Sequence, residues 1–169
     1  LRASLGERTV AATLPSGDRD SIVARLSAIA GVIGIRLDAD RLAGLAPARR
    51  APFLAGRSLL RFLIGQLMPG AQIELAGARC PDCGGHHGAP VVRGAPVVAG
   101  LAHSAGIVVA AVAPDNAVTR VGVDVEADRP APADLVTLIG GPAETALRRW
   151  TRIEAVVKAD GRGLRIDPS

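Results

Sequence analysis

Tyrosine is absent from the chain, and aromatic residues make up only 2% of its 169 positions. That scarcity excludes a nucleic-acid binder built on aromatic stacking platforms. Long apolar runs are also missing. The longest, Ile107 to Ala113, is far shorter than the ~20 residues that carry a helix across a bilayer. Two cysteines, Cys80 and Cys83, are too few for the disulfide framework of a small secreted scaffold. No basic segment precedes an apolar stretch at Leu1, so no signal peptide is read and a cytoplasmic location is expected. With no initiator Met at position 1, the natural N-terminus is expected to lie further upstream. Lysine is the scarcest charge. Of 20 basic residues, Lys158 is the single lysine and the others are arginine.

What remains is a globular composition, 49% hydrophobic and 21% charged, long enough for one domain or two small lobes. A net charge of +4 and a pI near 10.3 favour an anionic partner, either a nucleotide-like ligand or an acidic protein. In a chain that writes positive charge as arginine, Lys158 either marks a site wanting a compact ammonium or is a neutral accident.

Hydrophobic spacing organises the chain without repeats or low-complexity tracts. Glu7 to Leu14 alternates as a strand, and Asp18 or Asp20 is placed to cap a helix running to about Ile29. Ala48 to Met68 carries Leu54, Leu59, Leu60, Leu63, Ile64 and Leu67 at helical spacing, stopped by Pro69-Gly70. A short strand is predicted over 71–75, a loop over 77–94, and then a meander of three strands, VVAGLAHS, GIVVAAVA and TRVGVDVE, ending at Glu126. A Pro-rich break at 129–133 leads to a final helix over 142–159. The class is α+β, an antiparallel meander with helices packed on it.

Five groups of residues carry chemistry. Asp124 and Glu126, two apart on a strand, share a face, an arrangement that suits a hard divalent cation or a solvated strand end. Trp150, Glu154 and Lys158 form an i, i+4, i+8 stripe. It reads as a surface ion pair beside a core Trp, or as a third carboxylate with a phosphate-neutralising lysine. Arg49, Arg50, Arg57 and Arg61 lie along the long helix, as a bidentate phosphate array or an ordinary solvated face. His103-Ser104 ends a strand, and adjacent strand residues point apart, so a Ser-His nucleophile pair is rejected in favour of a ligand-contacting or turn histidine. Cys80, Cys83, His86 and His87 in CPDCGGHHG resemble half of a zinc knuckle, with no second pair downstream at the usual spacing. That shortfall disfavours zinc at Cys80 and Cys83.

The order of these groups is more specific than any one of them. RRAPFLAGRSLLR, HHGAP, LAHSAG, VGVDVE and WTRIEAVVKADGRGL follow one another between residues 49 and 164. Together they resemble the 4′-phosphopantetheinyl transferase superfamily, in its larger, two-lobed pseudo-dimeric type. The resemblance implies two similar lobes, 1–113 and 114–169, each an antiparallel sheet packed on a long helix, the second expected either to be truncated or to continue past Ser169. It implies transfer of 4′-phosphopantetheine from coenzyme A to a serine of an apo acyl or peptidyl carrier protein, releasing 3′,5′-ADP. Such transfer serves fatty-acid, polyketide or nonribosomal-peptide synthesis.

By the same resemblance, Asp124, Glu126 and Glu154 hold Mg²⁺, with Mn²⁺ an acceptable substitute. Glu154 also takes the proton of the carrier serine, and Lys158 steadies the departing phosphate. Arg49, Arg57, His103 and Ser104 fall in the segments that bind coenzyme A. Two departures stand out: Ile153 replaces a usual lysine, and Ala89 replaces a basic residue, for which His87 is the nearest substitute. They motivate a second reading, a non-catalytic relative that binds coenzyme A or a carrier protein. A third reading is a small zinc-binding interaction protein. No nucleic-acid or membrane partner is expected, and two lobes in one chain imply a monomer.

Overall fold

The computed structural model describes residues 8–13 and 39–161. Strand β1 (Arg8–Thr13) precedes a short helix α1 (Ala39–Gly44) and the long helix α2 (Pro47–Leu67). Strands β2 (Glu74–Gly77), β3 (Pro90–Arg93), β4 (Val97–Ser104) and β5 (Ile107–Pro114) follow. Helices α3 (Ala133–Ile139) and α4 (Ala143–Asp160) close the described chain. The helix expected between Asp18 and Ile29 lies outside the described residues. The architecture is mixed α+β, with one three-stranded antiparallel sheet in the order β1-β5-β4 and a two-stranded antiparallel pair β2-β3. Among the described residues no helix is long and apolar enough to cross a membrane.

Helix α2 anchors the fold because its apolar stripe is wide. Leu54, Leu60, Leu63 and Ile64 are at most 1% exposed, and the last three pack with Val97, Ala99, Val108, Ala110 and Val112 from β4 and β5. At roughly 1.5–3 kcal/mol per fully buried aliphatic side chain, this face is the main source of stability in the described part. Pro47 begins the helix without losing a hydrogen bond, since the first-turn N–H groups have no intrahelical partner. At Gly56 the helix approaches the sheet so closely that a Cβ would stand 2.7 Å from the Leu101 side chain.

β4 and β5 form a hairpin whose register pairs Ser104 with Ile107, leaving Ala105 and Gly106 as the two-residue turn. Both turn residues have positive φ, 47° and 80°, the type I′ signature whose twist matches that of the strands. The hairpin fixes the faces of β4. Val97, Ala99, Leu101 and His103 lie on the side of α2, and Gly100 and Ser104 on the other.

Two sequence expectations are corrected here. The loop over 77–94 contains a strand, β3, which pairs with β2 through Glu74–Arg93 to Gly77–Pro90, and β2 itself starts at Glu74, three residues after the expected start. The third meander strand, TRVGVDVE, joins no ladder. Its central part passes over the Gly100 face of β4, where a Cβ would meet the Val121 carbonyl oxygen at 3.0 Å. On its far side it is covered by α4: a methyl at Gly122 would overlap the Ala155 carbonyl oxygen and crowd Ala159. Side-to-helix packing replaces strand pairing. Among the described residues no strand follows Pro114.

Candidate functional site

A cavity of about 850 Å³ opens along β4, within the size range of small-molecule sites. Cationic and imidazole side chains from separate segments line it. Arg41 comes from α1, Arg49 and Arg57 from α2, His87 from the β2–β3 loop, His103 from β4 and Lys158 from α4. Of the residues singled out in the sequence as coenzyme A contacts, Arg49, Arg57, His87 and His103 meet at this one cavity, and Lys158 joins them. Arg57 is 6% exposed, and its guanidinium lies 5.2 Å from the centre of the Phe53 ring. Arg41 lies at the same distance from that ring, so one of the chain's few aromatic rings carries two guanidiniums by cation–π contact. Arg41 also donates to the His86 carbonyl oxygen at 2.7 Å, tying α1 to the loop.

Arg50 and Arg61 leave the array. Arg50 donates to the carbonyls of Leu45 (3.1 Å) and Ala43 (3.4 Å), closing the end of α1, and Arg61 donates to the Ile73 carbonyl at 3.1 Å, fastening the turn after α2. Their role is structural. Sequence reasoning missed Arg41, which belongs to no motif and reaches the cavity only because α1 folds back beside α2.

Behind Lys158 stand the acids. Lys158 is ion-paired with Asp124 and lies 3.8 Å from Glu154 on its own helix. Asp124 is 6% exposed, and its second oxygen, Oδ2, is buried with no hydrogen-bond partner. A buried carboxylate oxygen with no donor is costly, which makes Oδ2 the atom in this cluster that most needs a cation. Glu126 has partners of its own. It accepts from Ser104 Oγ at 3.2 Å and lies 3.9 Å from Arg129. The hairpin thus sends His103 to the cavity and Ser104 to the acid side.

The carboxylate oxygens of Asp124, Glu126 and Glu154 do not gather within metal-ligand spacing, and none of the three residues lines the cavity. Their oxygen chemistry and the orphan Oδ2 fit a hard divalent ion, while the ammonium of Lys158 is the cation that sits between Asp124 and Glu154. Trp150 is half-buried on the same helix.

Helix α4 is positioned from both ends. Arg149 donates to the carbonyls of Ile139 and Gly140, fastening it to the end of α3. Gly161, in the left-handed region at φ 82°, caps it with a 3.0 Å bond to the Val157 carbonyl, and Arg120 donates to the Asp160 carbonyl. These contacts set Lys158 three residues before the cap, beside segment 121–126. No protein-family profile matches the chain, and no curated protein matches it.

Proposed function

We propose that the protein transfers 4′-phosphopantetheine from coenzyme A to a serine of an acyl or peptidyl carrier protein. The observation that carries this reading is the convergence of Arg41, Arg49, Arg57, His103 and Lys158 on one cavity, with Asp124 and Glu154 directly behind the lysine. A site with that many cations suits a ligand with several phosphates, and coenzyme A carries three. The arginines hold the nucleotide phosphates bidentately, and His103 donates to a phosphate oxygen. Lys158 neutralises charge that builds on the departing phosphate. Glu154 accepts the proton of the carrier serine as its oxygen bonds to the phosphorus bearing pantetheine. The bond from that phosphorus to the bridging oxygen breaks, and 3′,5′-ADP leaves. Asp124, Glu126 and Glu154 would hold Mg²⁺ once their carboxylates converge, and the ion would supply charge neutralisation for the phosphates. A two-lobed organisation, a cytoplasmic setting and monomeric behaviour belong to the same proposal.

The basic chain suits an acidic carrier surface, which steers encounter and weakens with salt. A non-catalytic binder of coenzyme A is the second reading, favoured because the three carboxylates do not gather within metal-ligand spacing. Calorimetric titration with coenzyme A, in Mg²⁺ and then in chelator, tests the site first. Binding that weakens in chelator and in Asp124→Ala supports the proposal, and no binding in either condition sinks it. Transfer to an apo carrier that disappears in Glu154→Ala, with coenzyme A binding retained, separates transferase from binder.

A further inference from the structure

We propose that the β2–β3 loop is a zinc site in which Cys80 Sγ, Cys83 Sγ and His87 Nε2 are the protein ligands and water completes the coordination. In sequence the Cys-x2-Cys pair is short of ligands; the fold adds one. The ligand atoms of Cys80, Cys83 and His87 all lie within 4.8 Å of one another, the one such group of three or more among the described residues. Cys83 Sγ and His87 Nε2 are 2.9 Å apart. Zn–S bonds of about 2.3 Å and Zn–N bonds of about 2.0–2.1 Å place tetrahedral sulfur and nitrogen ligands about 3.6 Å apart. A zinc ion therefore enters by widening this gap by about 0.7 Å, a side-chain adjustment on an exposed loop.

The backbone prepares the cluster. Cys80 N–H donates to the Gly85 carbonyl at 2.7 Å, and Gly84 N–H donates back to the Cys80 carbonyl at 2.9 Å. Gly84, at φ 72°, makes the reversal that brings the two cysteines together. At Gly85 a Cβ would stand 3.2 Å from the His87 ring and 3.4 Å from Cys83 Sγ, so a side chain there would crowd the ligands. His86 lies 3.3 Å from the Gly77 carbonyl through Nδ1, which sets it on β2 and leaves His87 to the sulfurs.

No residue from Ala78 to Ala89 is buried, so the loop has no apolar core of its own to order it. Two free thiols and an imidazole clustered on such a loop are donors suited to zinc, and a metal cross-link supplies the order that packing does not. The consequence reaches the cavity, whose wall includes His87, Gly88, Ala89 and Pro90. Zn²⁺ with two thiolates and a neutral imidazole carries no net charge. The loop then shapes the cavity without attracting the anion, and His87 keeps only Nδ1–H as a donor.

The test uses the reduced, tag-free chain and zinc or cobalt chloride alone. We expect one zinc per chain by elemental analysis after dialysis against micromolar Zn²⁺. Cobalt should give the visible bands and sulfur-to-metal charge transfer of a tetrahedral thiolate site. Cys83→Ser and His87→Ala should each lower zinc affinity at least tenfold. Zinc-free native chain, cobalt spectra without thiolate bands, or one retained zinc in a Cys80→Ser/Cys83→Ser double variant overturns the proposal. The cobalt spectrum of the native chain decides even where a variant fails to fold. Asp124 and Glu154 take no part, so loss of coenzyme A binding or transfer leaves this proposal standing, and its failure leaves the transferase reading standing.

Discussion

Helices α2 and α4 face the same cavity from differently built surroundings. Nine residues of α2 are buried, against two of α4, Ala146 and Val157. The arginine side of the site therefore rides on a helix sunk into a three-stranded sheet. The acid and lysine side rides on a helix fastened mainly by end caps, backbone contacts and ion pairs. Packed cores resist displacement, while lightly buried elements open at lower cost. The cation platform is the rigid half of the site, and the Glu154–Lys158 half is the adjustable one.

Breaking each side in its core should expose the contrast. Leu60→Ala, at a fully buried position of α2, should cost about 2–5 kcal/mol in denaturant unfolding. Val157→Ala on α4 removes two methyl groups, about 1.6 kcal/mol by burial. Equal losses at the two sites would erase the distinction. Gly122→Ala tests the backbone contact that seats α4. Overlap with the Ala155 carbonyl should cost about 1–3 kcal/mol, and the Asp124–Lys158 pair should loosen with it. Wild-type stability in that variant would show that segment 121–126 is not clamped as described.

Smaller effects sharpen the comparison. Lys158→Ala leaves the buried Asp124 carboxylate without its cation. Because the lysine is 38% exposed, water compensates in part, and the expected loss is about 1 kcal/mol. Added Mg²⁺ should recover that loss if the acids accept a divalent ion, and a calorimetric scan with and without the metal reads the outcome. Smallest of all is Arg93→Ala. It removes an ion pair to Glu74 whose members are both more than half exposed, and the stability read by thermal melting should fall by less than about 0.5 kcal/mol.

Legibility in the sequence followed the range of the interaction. Helix α2 was readable to within a residue because its leucines repeat on one face, and β4 and β5 because they are apolar runs broken by a turn signal. Strand β3 was hidden in PVVR, too short and too close to Gly and Pro to stand out from a loop. TRVGVDVE alternates like a strand, yet α4 covers it, and periodicity alone cannot say whether an extended segment finds a partner ladder. Sequence motifs named Arg49, Arg57, His87, His103 and Lys158, and the fold lines one cavity with them, while the cavity lining leaves out Asp124, Glu126 and Glu154. Arg50 and Arg61 look like Arg49 and Arg57 in sequence and separate only when their carbonyl partners are known.

Local patterning set the class of the fold, the buried stripe of α2, the β4–β5 hairpin and the supply of cations and acids. These are local properties, set by spacing and turn chemistry within a few residues. Only packing across the chain brought Arg41 to the cavity, Ser104 to Glu126, Lys158 between Asp124 and Glu154, and His87 to Cys80 and Cys83. Each of these depends on a direction in space. Side-chain direction across a chain reversal is set by packing and backbone geometry, which no linear spacing contains.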